Sequence, residues 1–323
     1  MRIRRRWPGG GRRLQWIRRL AQLSVLALLV IIPIFSLYQS LRNQRDETGI
    51  AARWETRLVG SAVGGMEKPE TITQAVRGSV WTFKAGELVI SDPLAVADFM
   101  AASRVFLEPF LMTALIPVLL SLLLGRVYCG WLCPADLLFE AAGRIREVAG
   151  IETDVSFART LKYAVLAAGA AAGVIFGTQV FAEIYPPRIV SGELYLFITF
   201  GALGAGAWFF LTLVAFEIFV SRRFWCRYVC PGGALFSLLG RWRLVRLKVD
   251  AASCTSCRLC NRACEFGLDP MHGRMGPECN NCGLCVRACA PGSLVFRASL
   301  PPRDGLDLLT PVRSSEAGRR AGA

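Results

Sequence analysis

The chain contains a single histidine, His272, among its 323 residues. A membrane cytochrome with bis-histidine haem needs axial histidines on its helices, so this class of haem protein is excluded. The sequence also has no nucleotide-binding glycine motif and no constellation of residues typical of a hydrolase. These absences direct attention to the cysteines.

All twelve cysteines fall in four short motifs. Twelve cysteines in a secreted chain would suggest disulfides, whereas cysteines confined to tight motifs indicate metal or redox chemistry in a reducing compartment. Two of the motifs have the form C-x2-C-x2-C-x3-C and occupy residues 254–264 and 279–289. This is the bacterial iron–sulfur run.

In tandem runs of this form the fourth cysteine of each run binds the cluster of the other run. The spacing therefore predicts two [4Fe-4S] clusters. Their ligands would be Cys254, Cys257, Cys260 and Cys289 for cluster 1, and Cys279, Cys282, Cys285 and Cys264 for cluster 2. A pair of structural zinc sites is the alternative, because C-x2-C pairs also suit zinc. The repeated four-cysteine run with its x3 gap favours iron–sulfur.

The other two motifs have the form C-x3-C-P and contain the pairs Cys129/Cys133 and Cys226/Cys230. Cysteines four residues apart lie on one helical face, although the proline marks a place where a helix starts or breaks. Two such pairs at matching helix ends could converge into one four-thiolate site. A third cluster, a copper ion, a redox disulfide and buried cysteines without a ligand all remain open.

The chain is 53% hydrophobic, has a mean hydropathy of +0.41 and carries a net charge of +14. Apolar stretches of about twenty residues explain this combination. We expect transmembrane helices at about residues 20–38, 104–124, 161–181 and 194–220, within a membrane domain over residues 20–240. In the third of these, glycines recur every fourth residue and indicate helix packing.

Residues 1–19 contain eight arginines and no acidic residue. Such a segment could bind nucleic acid, but its position before a long apolar stretch favours a cytoplasmic N-terminus under the positive-inside rule. Four crossings return the C-terminus to the cytoplasm. Residues 40–103 then form an extracytoplasmic loop, with residues 78–94 at the interface or re-entering the membrane.

Residues 241–299 are expected to form the cytoplasmic cluster domain. Val245, Leu247 and Val249 alternate as in a half-buried strand, which could pair with residues 294–296. Residues 300–323 have the composition of a disordered tail. The predicted fold class is an α-helical membrane protein with four transmembrane helices plus a small cytoplasmic α+β bacterial-type 2[4Fe-4S] ferredoxin domain.

The four helices, both C-x3-C-P motifs, the S-D-P-L stretch at 91–94 and both cluster runs together resemble the polytopic ferredoxin-type membrane proteins. That group includes the quinol-dehydrogenase membrane component of periplasmic nitrate reductase, the nitrous-oxide reductase regulator, methylamine-utilisation ferredoxin-type proteins and a copper-reducing oxidase accessory protein. The resemblance covers residues 20 to about 296. It implies cytoplasmic [4Fe-4S] clusters in a bacterial inner membrane and electron exchange with quinone.

Three features depart from the family pattern. Glu265 stands where a proline often follows the fourth cysteine. The loop over residues 40–103 is too short for the flavin-binding domain of the regulator branch. The soluble domain that the copper-reducing branch carries after its clusters is not expected here.

The leading hypothesis is an electron-transfer subunit that exchanges electrons between quinone and a redox partner protein, in contact with membrane lipid and without nucleic acid. Intramembrane acids are functional candidates, so Glu217 and Glu108 are the predicted quinone-site residues. For Glu217, an ion pair with Arg222 is the structural alternative. The competing function is a metal-handling or maturation factor whose clusters reduce copper at the C-x3-C-P thiols.

Overall fold

A computed structural model describes residues 9–43, 76–78, 82–85, 87–151 and 153–299. The α-helices in these ranges are α1 (Gly9–Asn43), α2 (Pro93–Ser103), α3 (Glu108–Thr113), α4 (Leu115–Leu124), α5 (Pro134–Val148), α6 (Leu161–Phe176), α7 (Val180–Ile184), α8 (Pro186–Phe200), α9 (Ala205–Phe219), α10 (Pro231–Leu239), α11 (Leu259–Arg262) and α12 (Leu284–Ala288). The strands are β1 (Val76–Gly78), β2 (Thr82–Ala85), β3 (Leu88–Ser91), β4 (Val245–Val249) and β5 (Leu294–Ala298). The predicted tail over residues 300–323 lies outside the described residues.

Helix α1 has 35 residues and is therefore about 50 Å long. Its segment Gly11–Ile34 is, within the described ranges, the one helical stretch both long and apolar enough to cross a membrane. The helix begins at Gly9, inside the predicted basic N-terminal segment. Its first turns lie against the cysteine-rich domain, where Gln15 Nε2 donates to the carbonyl of Cys282 at 2.7 Å. The N-terminal end of α1 and the cysteine-rich domain are thus on the same side of the molecule.

Four further apolar helices, α2, α4, α6 and α9, have only 10 to 16 residues. The predicted span at 104–124 is divided into α3 and α4 at Ala114. Pro117 has no N–H to donate to the carbonyl of Thr113 four residues earlier, so a continuous helix loses a hydrogen bond there. Four complete membrane crossings therefore stay a prediction.

The predicted helix at 194–220 consists of two helices, α8 and α9. Gly201 ends α8 with a φ of 68°, a left-handed conformation that glycine adopts without strain. Glu193 then accepts a hydrogen bond from the backbone N–H of Gly204 at 2.6 Å and fixes the turn. Residues 182–193, between the third and fourth predicted spans, are largely helical as part of α7 and α8.

The glycines of α6 face other elements, and at Gly169 the approach is too close for a side chain, in agreement with the predicted packing role. A Cβ on Gly169 would lie 2.2 Å from the ring of Phe181 in α7, and one on Gly173 would lie 3.5 Å from Ala101 in α2. The third glycine, Gly177, ends the helix with a φ of 66°. Small residues therefore allow the chain after α6 to fold back along it.

The core of the helical region is formed by Leu94, Ala135, Phe139, Phe181, Tyr185, Leu213, Trp225 and Cys230. Two helices begin inside this core, each with a proline in its first turn: α2 after Asp92 and α8 after Tyr185. Tyr185 donates from its hydroxyl to Asp92 Oδ2 at 2.8 Å, and both residues are 3% exposed. The two helix beginnings are thereby joined at the centre of the helical region.

Large apolar side chains are exposed on the outer surface of the helices in the described ranges. They include Leu23, Leu119, Phe176, Phe200, Trp208 and Phe219, of which Phe176, Phe200 and Trp208 are at least 70% exposed. A monomeric soluble protein rarely exposes so much apolar surface. This surface is compatible with a lipid environment.

The cysteine-rich domain contains the predicted strand pair. Strand β4 pairs with β5 in antiparallel register, with Leu247 opposite Phe296 and Val249 opposite Leu294. Leu247, Phe266, Leu268, Met275 and Leu294 form a small buried core together with Cys260, Cys285 and Cys289. The cysteines of the runs are therefore part of the core of their own domain.

Candidate redox site

Two cavities in the cysteine-rich domain are each lined by four cysteines. The first cavity contains Cys254, Cys257, Cys260 and Cys289 in its wall. The second contains Cys264, Cys279, Cys282 and Cys285. Each set joins three cysteines of one run with the fourth of the other, which is the grouping that the tandem spacing predicts. Four thiols around one cavity are the donor set of a [4Fe-4S] cluster, so the residues present fit this cofactor.

The two runs use the same backbone conformation around their second cysteine. Ser256 and Arg258 flank Cys257 with φ values of 52° and 58°, and the residues that flank Cys282 have φ values of 51° and 71°. These left-handed positions turn the chain so that a short helix, α11 or α12, begins directly afterwards. The repeated turn brings three cysteines of each run to one cavity.

The two cavities differ in their surroundings. Cys257, in the first cavity, is the exposed cysteine of the twelve. The second cavity faces the helices: Asn281 donates to the carbonyl of Leu124 at 2.6 Å, and a Cβ on Gly130 would lie 2.8 Å from the amide of Asn280. The second cavity is therefore the one that lies against the C-x3-C-P motifs.

Each C-x3-C-P motif forms a π-helical turn followed by a new helix. The turns are Tyr128–Leu132 and Trp225–Val229. Cys133 and Cys230 then cap α5 and α10, whose first residues are the motif prolines. Short π-helical turns are frequent at functional sites.

The four thiols of these motifs come together in the interior. Cys133 and Cys226 pack against the core that contains Cys230. Burial raises the pKa of the Cys133 and Cys230 thiols, and the nearby Cys129 raises both further. In the part of the chain that the structure describes, no three His, Cys, Asp or Glu side chains are spaced to share one metal ion, and this holds for the ferredoxin cysteines as well. The structure thus brings the four C-x3-C-P cysteines into one region without forming a single-ion site.

Arg126, three residues before Cys129, connects this region with the second cavity. Its side chain is fully buried, and its Nη1 donates to Glu278 Oε2 at 2.7 Å. Lys162, also fully buried, forms a second ion pair with Glu278. Burial alone would raise the pKa of Glu278, but Arg126 and Lys162 outweigh it and hold this pKa below its usual value. Glu278 directly precedes Cys279.

Arg223, three residues before Cys226, makes the corresponding connection from the second motif. It pairs with Glu265, which directly follows Cys264. It also pairs with Asp136 in the first turn of α5, at 2.6 Å between Nη1 and Oδ1. Arg18 of α1 holds the other oxygen of Asp136 at 2.7 Å. These side chains form a buried ionic network between the helices and the cysteine-rich domain.

The predicted quinone-site residues do not lie together. Glu217 is 3% exposed and accepts hydrogen bonds from the backbone N–H groups of Phe224 and Trp225, both at 2.9 Å. It therefore supports the π-helical turn that carries Cys226. Its expected ionic partner, Arg222, pairs with Glu147 instead. Glu108 is exposed in the first turn of α3. A quinone role for either residue stays a prediction.

Sequence reasoning missed the two arginines and the Asp92–Tyr185 pair. A signal for the arginines was present, because both motifs read R-x2-C-x3-C-P when the preceding residues are included. The pairing of Asp92 with Tyr185 joins residues 93 positions apart. No local pattern in the sequence indicates such a contact.

The comparisons with known proteins first define a class. The profile of a family described as "4Fe-4S binding domain" matches residues 108–151 and again residues 202–250, and each match contains one C-x3-C-P motif. The domain is therefore present twice, around the two motifs rather than around the ferredoxin runs.

Individual relatives give the family more closely. The chain is 30% identical to the ferredoxin-type protein NapH of Haemophilus influenzae over 208 residues, which cover 60% of this chain and 71% of that protein. It is 32% identical to the methylamine utilization ferredoxin-type protein MauN of Paracoccus denitrificans, over 55% of this chain and 62% of that protein. It is also 29% identical to the regulatory protein NosR of Pseudomonas aeruginosa, over 80% of this chain but 36% of that protein.

The chain belongs to the family of ferredoxin-type proteins that includes NapH and MauN, which confirms the resemblance drawn from its motifs. The matched region spans less than two thirds of each of the MauN proteins compared. No solved structure matches the chain.

Proposed function

We propose that this chain is a membrane-bound iron–sulfur electron-transfer protein that exchanges electrons between the quinone pool and a redox partner protein. The observation that carries the proposal is the arrangement of the thiols: two cavities in the cysteine-rich domain are each lined by four thiols, and the second of them lies against the four C-x3-C-P cysteines. Bound [4Fe-4S] clusters would supply one-electron redox chemistry. Electrons could pass between neighbouring groups of this kind, and we propose that the C-x3-C-P thiols hold one more.

The membrane location is supported by α1, by the exposed apolar side chains on the helices and by the arginine-rich N-terminus. By the positive-inside rule we propose that the cysteine-rich domain lies on the cytoplasmic side of a bacterial inner membrane. The names of the relatives describe ferredoxin-type proteins, in one case of methylamine utilization. From this similarity we propose quinone as the substrate of the present chain.

For the C-x3-C-P thiols we propose a third iron–sulfur group. It is supported by the twofold match of these segments to a 4Fe-4S binding domain. The thiols of Cys129, Cys133, Cys226 and Cys230 would hold it. Buried thiols in an apolar core would keep water away from the group and so limit solvation of its charge.

The experiment that tests the function is anaerobic purification in detergent, followed by iron and sulfide counting and EPR before and after a quinol analogue is added. Three clusters give about twelve iron atoms per chain, since each [4Fe-4S] holds four. We expect EPR signals of reduced clusters to develop on quinol addition. Clusters that are reduced by dithionite but not by the quinol analogue would contradict electron exchange with quinone.

Glu217→Gln separates the two roles of that residue. If Glu217 accepts a proton from quinol, the variant keeps its iron but loses reduction by quinol, while reduction by dithionite is unchanged. If Glu217 only caps the turn before Cys226, both reductions persist. Glu183→Gln is the matched control, since Glu183 is an exposed carboxylate of α7 without a predicted role at the quinone site.

The alternative function is copper reduction at the C-x3-C-P thiols. The observation that favours it is the arrangement of four soft thiol donors in one region, because soft thiolates also select Cu(I). Stoichiometric copper in the purified protein, lost in Cys226→Ala while about eight iron atoms remain, would establish this function in place of a third cluster.

A further inference from the structure

The two R-x2-C-x3-C-P segments place an arginine at the same position of each repeat, Arg126 and Arg223. The two residues are 0% and 2% exposed, so their charges are removed from water. Isolated charges in such surroundings are strongly unfavourable and require partners. Each arginine finds that partner in a carboxylate next in sequence to a cysteine of the second cavity.

The partners show a matched arrangement. Glu278, the partner of Arg126, directly precedes Cys279. Glu265, the partner of Arg223, directly follows Cys264. The two carboxylates therefore flank two different cysteines of the second cavity, one from each ferredoxin run. Two independent bridges hold the same cavity.

Each arginine also reaches the opposite repeat. Arg126 donates from Nη2 to the carbonyl of Cys226 at 3.3 Å, although the two residues are 100 positions apart. Arg223 donates to Asp136, three residues after Cys133, through both the backbone oxygen at 3.2 Å and the side chain. Each bridge thus connects the second cavity with both C-x3-C-P motifs.

The residue that corresponds to Asp136 in the other repeat is Gly233, and it explains how Arg126 fits. A Cβ on Gly233 would lie 2.9 Å from Arg126 Nη2 and 3.3 Å from the carbonyl oxygen of Cys226. Arg223 therefore pairs with the carboxylate of Asp136 in the first repeat, whereas Arg126 occupies the space left by the missing side chain of Gly233 in the second. Arg126 uses this space to reach Glu278 and Cys226 at once.

We propose that Arg126 and Arg223 are positioning residues that hold the second four-thiol site, rather than the first, against the C-x3-C-P thiols. We further propose that the charge balance between Arg126 and Glu278 sets the reduction potential of the cluster bound there. The inference rests on the proposed function only in that the two cavities must hold clusters. It assigns the second cavity to the inner position and the first, with exposed Cys257, to the solvent side.

The charge argument has a definite sign. Reduction adds one electron to the cluster, so a nearby positive charge favours the reduced form and a nearby negative charge opposes it. Arg126→Gln removes a positive charge and leaves Lys162 as the salt-bridge partner of Glu278, which lowers the potential of the second site. Glu278→Gln removes a negative charge beside Arg126 and Lys162, which raises it. Arg126→Lys keeps the charge and leaves the potential close to that of the unmodified chain.

The test is an EPR-monitored redox titration of the full chain in detergent for these three variants. The titrations are made in the Cys230→Ala background, so that the group at the C-x3-C-P thiols does not contribute a third signal. A soluble dysprosium chelate then identifies the two ferredoxin sites, because it broadens the signal of the solvent-side cluster more strongly. We expect opposite shifts in Arg126→Gln and Glu278→Gln, confined to the cluster less affected by dysprosium. Arg274→Gln is the matched control, since Arg274 is an exposed arginine of the same domain, and it leaves both potentials unchanged.

A purely structural role predicts a different pattern. It would shift the reduction potential in the same direction in Arg126→Gln and Glu278→Gln, or it would shift the potentials of both clusters equally. Either result overturns the proposal. A shift confined to the dysprosium-sensitive cluster also overturns it. If Arg126→Gln does not retain iron, the rise in reduction potential expected in Glu278→Gln still tests the proposal. Absence of quinol reduction in the unmodified chain would defeat the proposed function and leave these potentials measurable.

Discussion

The eight ferredoxin cysteines and the four C-x3-C-P cysteines are brought together in two different ways. The ferredoxin cysteines lie within 36 residues of sequence, and the left-handed turns of each run aim three of them at one cavity. The C-x3-C-P pairs are separated by nearly a hundred residues, and they meet only because the helices around them pack correctly. The first arrangement depends on local geometry and the second on tertiary structure. Variants in one region should therefore spare the other, except at the arginine bridges between them.

The largest effect is expected when a thiol is removed. Cys285→Ala removes a ligand of the second cavity, so the protein loses about four iron atoms and one EPR signal. Cys230→Ala removes a C-x3-C-P thiol, and both ferredoxin signals persist. Iron counting and EPR of the two variants check this. Loss of all clusters in Cys230→Ala would show that the ferredoxin domain does not fold independently of the helices.

A core substitution in the ferredoxin domain is the next test. Leu247 is 5% exposed at the centre of β4, and Leu247→Ala leaves a cavity that costs about 2–5 kcal/mol. When the protein is heated, the EPR signals of both ferredoxin clusters should be lost at a lower temperature in this variant than in the unmodified chain. The C-x3-C-P group should be retained. Val295→Ala, on the partner strand but 38% exposed, is the control and should have little effect. Equal loss of all signals in Leu247→Ala would contradict the separation of the two regions.

The converse substitution lies in the helical region. A Cβ on Gly169 would lie 2.2 Å from the Phe181 ring, so Gly169→Ala overpacks this contact and destabilises by about 1–3 kcal/mol. Gly143→Ala in α5 is the matched control, because nothing lies within 4 Å of its Cβ position. At Gly143, alanine has less conformational freedom than glycine in the unfolded chain, so the substitution should stabilise the folded protein by about 0.5–1 kcal/mol. Thermal unfolding in detergent should show opposite shifts, and two shifts of the same sign would contradict this packing.

The same division explains what could be predicted from the sequence. The spacing of the ferredoxin cysteines predicts the two groups of four that line the cavities, although their role as cluster ligands stays a prediction. The alternation at Val245, Leu247 and Val249 predicted β4, and the apolar residues 294–296 were the suggested partner strand. The helical segments could be located, but their interruptions could not. The break at Ala114 follows from Pro117, and that between α8 and α9 from Gly201, in stretches whose apolar composition is otherwise continuous.

The arginines show a second limit of sequence reasoning. Arg126 and Arg223 have the same charge as the arginines expected at cytoplasmic helix ends, and the positive-inside rule accounts for them without a partner. Their burial depends on Glu278 and Glu265, which belong to another domain. Only the assembled structure distinguishes a buried bridge from a solvated helix end.

The smallest expected effect concerns the hydrogen bond at the centre of the helical region. Tyr185→Phe removes one of the hydrogen bonds to Asp92, which costs about 0.5–1.5 kcal/mol because other donors still contact this carboxylate. Tyr195→Phe on the same helix is the control, since Tyr195 is 42% exposed.

The effect of Tyr185→Phe should be confined to one set of cysteines. Tyr185 packs in the core that contains Cys230, whereas the ferredoxin cysteines belong to a separate core. We therefore expect a changed EPR line shape of the C-x3-C-P group and unchanged ferredoxin signals. If the ferredoxin signals change as well, the arginine bridges transmit small displacements between the regions, and tertiary packing then controls both sets of thiols.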